Sequence, residues 1–157
     1  MNGSPAIIAT LNKLLLGEWQ ARRQYEAVGA LFAVRGYLKI ATEYRDRASD
    51  EAGHALRFQE RIAELDGDIV CAPSPDPILV NDLEAQINAS LTIENTARAD
   101  LQSAIRETEA DGDYGTGDIC RGILHGSGSE EEHIREIEAD LIQIEAEGLQ
   151  NWLSTQR

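Results

Sequence analysis

The chain has one methionine, two cysteines, four prolines and few aromatic residues, which make up 5% of its 157 positions. Cys71 and Cys120 form neither a Cys-x-x-Cys pair nor a disulfide framework, so a reduced, cytoplasmic setting is expected. Apolar runs are short. Lys13 and Glu18 interrupt the N-terminal one, which does not fit a signal peptide, and no stretch approaches the roughly 20 apolar residues that cross a bilayer. Positive charge is also scarce: Lys and Arg number 14 against 28 Asp and Glu, a net charge of -14, whereas phosphate backbones call for clustered cations. A nucleic-acid coat and a membrane protein are set aside. Metal cations are more natural partners, although an acidic surface also serves plain solubility.

What is abundant favours helix. Ala, Leu, Ile, Glu, Gln and Arg fill long stretches, and a chain of this length buries roughly two-thirds of its surface, enough for one domain over residues 1–157. Ser4-Pro5 supplies a helix start, after which Leu11, Leu14, Glu18, Ala21, Tyr25, Val28 and Phe32 recur at helical spacing up to Arg35-Gly36. A second helix is predicted from Tyr37 to Leu65, stopped by Gly67, and a third from Asp82 to Glu109. Between them, residues 66–81 hold Gly67, Pro73, Pro75 and Pro77 without a helical period, which predicts an extended link along the molecule. The last third predicts helix from Asp118 to Leu124, a break at His125-Gly126-Ser127-Gly128-Ser129, and a restart capped by Ser127 with Glu130 or Ser129 with Glu132. Gly148 ends that helix, and residues 149–155 form a short terminal one. Short first and last connections with a long middle crossover predict an all-α, ferritin-like four-helix bundle with a short C-terminal fifth helix.

The chemistry lies in four glutamates and two histidines on faces that ought to be buried. Glu18 and Glu94 lie in the apolar stripes of the first and third helices, Glu51 and His54 in the second, Glu130 and His133 in the last. A carboxylate buried without a partner costs several kcal/mol or takes up a proton, and a metal ion removes the difficulty. Residues three apart share a helix face, so each Glu-x-x-His offers an oxygen and an imidazole nitrogen to one point. Two such pairs plus one Glu from each remaining helix make a di-iron carboxylate site. Two of the chain's three histidines carry the pattern; the third, His125, reads as a surface residue. Taken singly, each has a plainer reading: a core histidine, a boundary glutamate, and, for Glu130, Glu131 and Glu132, acids that favour a helix N-terminus. Only Glu130 has the offset to His133. Tyr25 is placed to hydrogen-bond a ligand carboxylate or to donate an electron during oxidation, with a packed core tyrosine as the alternative.

Residues 11–15 (Leu-Asn-Lys-Leu-Leu), Glu18, Tyr25, Glu51-x-x-His54, Glu94, Glu130-x-x-His133 and residues 148–153 (Gly-Leu-Gln-Asn-Trp-Leu) together resemble the bacterioferritin family over nearly the whole chain. The resemblance implies a shell of 24 subunits around iron mineral, with a ferroxidase centre in each. Glu18, Glu51, His54, Glu94, Glu130 and His133 fall on its ligand positions, Glu51 and Glu130 as bridging carboxylates. The sequence departs from the family in three places. Ala52 stands where the family's haem-ligating methionine follows the helix-B glutamate, and the only methionine is Met1. No bis-methionine haem is expected in a homodimer, which leaves haem from a different partner subunit open. Asp46 replaces a frequent histidine, and with Asp50 it offers hard oxygens for an inner-surface iron site. Residues 126–129 are about three residues longer than the family's fourth helix at that point.

The resulting expectation is iron storage and detoxification: Fe(II) enters through acidic pores, binds as a pair and is oxidised by O2 or H2O2. The alternatives are a di-iron oxidase or peroxidase of the same architecture acting on another substrate, and a non-catalytic partner subunit of a mixed cage.

Overall fold

The computed structural model describes residues 3–157, so the expectation about Met1 lies outside the described residues. Six helices are present among them: α1 (Pro5–Val34), α2 (Leu38–Glu64), α3 (Leu83–Asp111), α4 (Tyr114–His125), α5 (Glu130–Glu147) and α6 (Leu149–Ser154), with no strand. The fold is the all-α, ferritin-like bundle expected. Its fourth member is built from two helices, α4 and α5, separated by the Gly-Ser break. α1 packs chiefly on α2 and α3 on α4 and α5, and contacts between α1 and α3 join the two pairs.

Three local readings need correction. α4 starts at Tyr114, four residues before the predicted Asp118, because Asp113 caps it: the Asp113 carboxylate accepts from Thr116 N at 3.1 Å and from Thr116 Oγ1 at 2.6 Å. The restart is capped by Ser129, which accepts from Glu132 N at 3.3 Å, and not by Ser127. Glu132 then reaches back to Gly128 N at 2.6 Å, one residue beyond the usual capping-box partner. After α2 the left-handed residue is Asp66, at φ 58, and Gly67 follows it with its N–H on Ile62 O at 2.9 Å.

The crossover between α2 and α3 has no helical or strand structure of its own, and three of its residues are prolines with no N–H to give. Side chains of α1 pair its backbone instead. Asn12 accepts from Val70 N (2.8 Å) and donates to Asp68 O (3.0 Å), and Gln24 does the same at Ile78 (2.8 and 2.6 Å). Each amide thus mimics a strand neighbour and satisfies groups that would be costly to leave bare. At the far end Lys39 N donates to Gln156 O at 2.9 Å, and Trp152 is fully buried, which folds α6 onto the bundle.

The core is not continuous. One apolar cluster gathers Tyr25, Val28, Phe32, Ile40, Ile87 and Trp152, and the other gathers Leu11, Leu15, Phe58, Ile62, Leu101 and Ile123. On each long helix the change from one cluster to the other falls at a polar position: Glu18 on α1, Glu51 to His54 on α2, Glu94 on α3, Glu130 to His133 at the start of α5. These positions form one layer across the bundle.

Candidate metal centre

The layer brings together six of the residues singled out from the sequence. Glu18, Glu51, His54, Glu94, Glu130 and His133 are all at most 6% exposed. Glu18, Glu51, His54 and Glu130 present ligand atoms within 4.8 Å of one another, and so do Glu51, Glu94, Glu130 and His133. Glu51 and Glu130 belong to both sets. Two adjacent four-donor pockets sharing two carboxylates is the geometry of two cations held side by side.

The two-plus-two arrangement follows from helix geometry. Within α2 and α5 the i, i+3 offset puts carboxylate and imidazole on one face: His54 Nδ1 lies 3.0 Å from Glu51 Oε2. Across the bundle the same nitrogen is 3.5 Å from Glu18 Oε2 and 3.5 Å from Glu130 Oε1. His133 Nδ1 sits 3.4 Å from both Glu51 Oε1 and Glu94 Oε1, while its Nε2 faces Asp50 Oδ2 at 3.2 Å. Tyr25 donates a short hydrogen bond to Glu94 Oε1. The break before α5 therefore does not remove Glu130 and His133 from the layer.

Charge is balanced here by protons. Burial, aided by the nearby Glu51 charge, pushes the Glu18 and Glu130 carboxyls well above the usual carboxylate range. Burial also opposes ionisation of Glu51, yet the facing imidazoles of His133 and His54 outweigh it and bring that group down to about 2. Burial disfavours charge on the imidazoles, but the encircling carboxylates win, raising His54 to about 12 and His133 to about 11.

The residues fit a metal. Glu51 Oε1, Glu94 Oε2, Glu130 Oε1 and His133 Nδ1 are buried with no hydrogen-bond partner among the described residues, and such orphaned atoms are costly unless something else binds them. Hard carboxylate oxygens with one imidazole in each pocket suit iron. Asp46 and Asp50 join neither donor set: Asp46 is exposed, and Asp50 turns its carboxylate toward His133. Ala52, on α2, borders an open hollow with Arg22, Glu26, Arg45, Ala48 and Ser49, and its methyl group cannot ligate a haem iron.

Tyr44 falls on the apolar stripe of the second helix in the sequence, but the buried Arg47 beside it went unseen. Tyr44 meets Tyr25 edge-on at 5.7 Å, and Arg47, 2% exposed, lies 5.0 Å over the Tyr44 ring while pairing with Glu136 at 3.2 Å. The available signal was that Tyr44, Arg47 and Glu51 fall on one helical stripe, which places an arginine inside. No helix among the described residues is long and apolar enough to cross a membrane.

Comparison with known proteins agrees with this geometry. Residues 8–146 match the family model described as a ferritin-like domain. The chain is 34% identical over 157 residues to a bacterial ferritin of Synechocystis, covering 99% of each chain. It is 31% identical over 156 residues to one of Neisseria meningitidis serogroup B, again with 99% of each covered. With the bacterioferritin of Streptomyces coelicolor the identity is 30%, over 99% of this chain and 91% of that one. A family match across the bundle, and relatives similar over the full length, place this chain in the ferritin-like family, beside the bacterial ferritins.

Proposed function

We propose that this protein stores and detoxifies iron, oxidising Fe(II) to Fe(III) at a di-iron centre inside each subunit and depositing the product within a cytoplasmic homo-oligomeric shell of 24 chains. The observation that carries the reading is the pair of buried four-donor sets sharing Glu51 and Glu130. Glu18 and His54 complete one iron position, Glu94 and His133 the other, and Glu51 and Glu130 bridge. Two irons bound this closely each give up one electron, so the pair supplies two to an oxidant such as O2 or H2O2.

The chain's own residues prepare that step. The carboxylates provide hard oxygens that favour the ferric product. Tyr25 fixes one oxygen of Glu94 through its hydroxyl, leaving Glu94 Oε2 for metal. The apolar clusters above and below keep bulk water from the layer. Absence of a bis-methionine haem in the homo-oligomer rests on Ala52.

One observation favours a second reading, an oxidase acting on another substrate: a cavity of about 320 Å³ between α1, α3 and the crossover, lined mainly by apolar groups and including Glu18. The two readings separate in one experiment. Metal-free protein takes Fe(II) stepwise in air while ferric absorbance is followed in the near ultraviolet. Iron storage gives a fast phase saturating at about two irons per chain, absent in Glu51→Ala, and then continued oxidation of added Fe(II) with the ferric product retained. An oxidase of another substrate stops at its two bound irons. No fast phase above a protein-free control would sink the ferroxidase reading.

A further inference from the structure

The break before α5 places a half-exposed aspartate from another helix against a metal-facing histidine. His54 rides on the unbroken helix α2, but His133 lies only four residues into a helix that restarts at Ser129, where the phase of α4 no longer controls its direction. Asp50, one residue before Glu51, accepts from the far nitrogen of His133 at 3.2 Å. Its carboxylate is 41% exposed on one side, and on the other it meets the break itself. A Cβ built on Gly128 would fall 2.7 Å from Asp50 Cγ and Oδ1, and Gly128 holds φ +61. Glycine is thus required there both for its backbone conformation and for the space the aspartate takes.

We infer that Asp50 is a positioning residue for His133: by accepting the Nε2 proton it fixes the ring so that Nδ1 points into the Glu51, Glu94 and Glu130 pocket. This inference rests on reading the buried layer as a metal centre. An imidazole that gives one N–H to a carboxylate presents the other nitrogen as a lone pair, and such outer carboxylates typically govern metal affinity by 10–100-fold. Here the Gly-Ser break and Asp50 act as a unit. The break lets the backbone approach α2, and Asp50 recovers the orientation that a continuous helix would have set. Asp50 is then engaged inward, and not held at the surface as a partner for Asp46.

The test uses the full-length metal-free protein titrated anaerobically with Co(II), reading d–d absorption for coordination geometry and equilibrium dialysis for stoichiometry. Native protein is expected to bind two Co(II) per chain. Asp50→Ala should keep one tight ion and weaken the other by roughly 10–100-fold with an altered d–d band. Asp50→Asn, whose amide oxygen still accepts from Nε2, should restore most of the native spectrum. Gly128→Ala should reproduce the alanine phenotype by pushing Asp50 aside. Native-like titration of Asp50→Ala overturns the inference, and so does a third ion lost together in Asp46→Ala and Asp50→Ala, which would mark a surface site. Failure of native protein to bind two Co(II) overturns instead the metal-centre reading on which this rests.

Discussion

In one layer, burial pushes the Glu130 carboxyl up while the imidazoles bring that of Glu51 down, and that difference has a consequence for binding. Without metal, the encircling carboxylates favour the protonated form of both histidines, and burial favours the protonated form of Glu18 and Glu130. Two divalent cations must displace these protons: one from each imidazole and one from each of the two raised carboxyls. Two charges of +2 enter and four of +1 leave, so the exchange keeps the layer's net charge unchanged. All four groups have raised pKa values, so binding is opposed at low pH and strengthens as pH rises. Anaerobic calorimetry with Zn(II) in two buffers of different ionisation heat should report close to four protons released per two ions. Release of none would contradict the charge balance described here. The six candidate ligands were legible in the sequence because two Glu-x-x-His pairs and two lone glutamates stand where apolar residues belong. The link from Asp50 to His133 was not legible, since it depends on the direction α5 takes after an irregular segment. Nor was Arg47, whose burial depends on a ring from the preceding turn and an acid from α5.

At the level of elements, the helices and the crossover followed from periodicity and prolines, while the start of α4 did not. Residues 114–117 read Tyr-Gly-Thr-Gly, a poor helix by propensity, and tertiary contacts override it. Arg61, 8% exposed, donates to Asp113 Oδ1 at 2.7 Å and to Thr116 Oγ1 at 2.9 Å, binding the first turn of α4 to α2. Asp113 is thus both helix cap and ion-pair partner, and these contacts hold its carboxyl below the usual carboxylate range despite partial burial. Asp113→Ala is expected to cost about 1–3 kcal/mol, the loss of a cap together with a charge-assisted bond. A depressed pKa means the contribution is complete above the ordinary carboxylate value of about 4 and is lost as pH falls through the lower folded value. Thermal melts of native and variant should therefore be well separated at pH 7 and converge in acid. A gap that persists undiminished at the lowest pH where the native chain still folds would assign the effect to packing alone.

For the whole molecule, the polar layer of candidate ligands divides what would otherwise be one core. The four long members of the bundle each interrupt their apolar stripe at the same height, so two hydrophobic clusters meet across a polar plane. Orphaned polar atoms in such a plane cost about 1–3 kcal/mol each, and four of them belong to the candidate ligands. The fold therefore carries an instability that a bound metal would relieve. A ligand that binds only the folded state stabilises it by about 2.7 kcal/mol when its free concentration is 100 times Kd. For a chain of this size each kcal/mol moves Tm by about 2–4 °C. Redox-inert Zn(II) should accordingly raise the Tm of metal-free protein by roughly 5–10 °C per tightly bound ion, reversibly on chelation. Glu51 contributes to both donor sets, so Glu51→Ala should lose most of this increment for both ions, whereas a variant confined to one set, such as Glu18→Ala or Glu94→Ala, should lose it for one. Equal losses from all three substitutions would mean that the layer binds as a single undivided site, and the shared roles of Glu51 and Glu130 would fall with it.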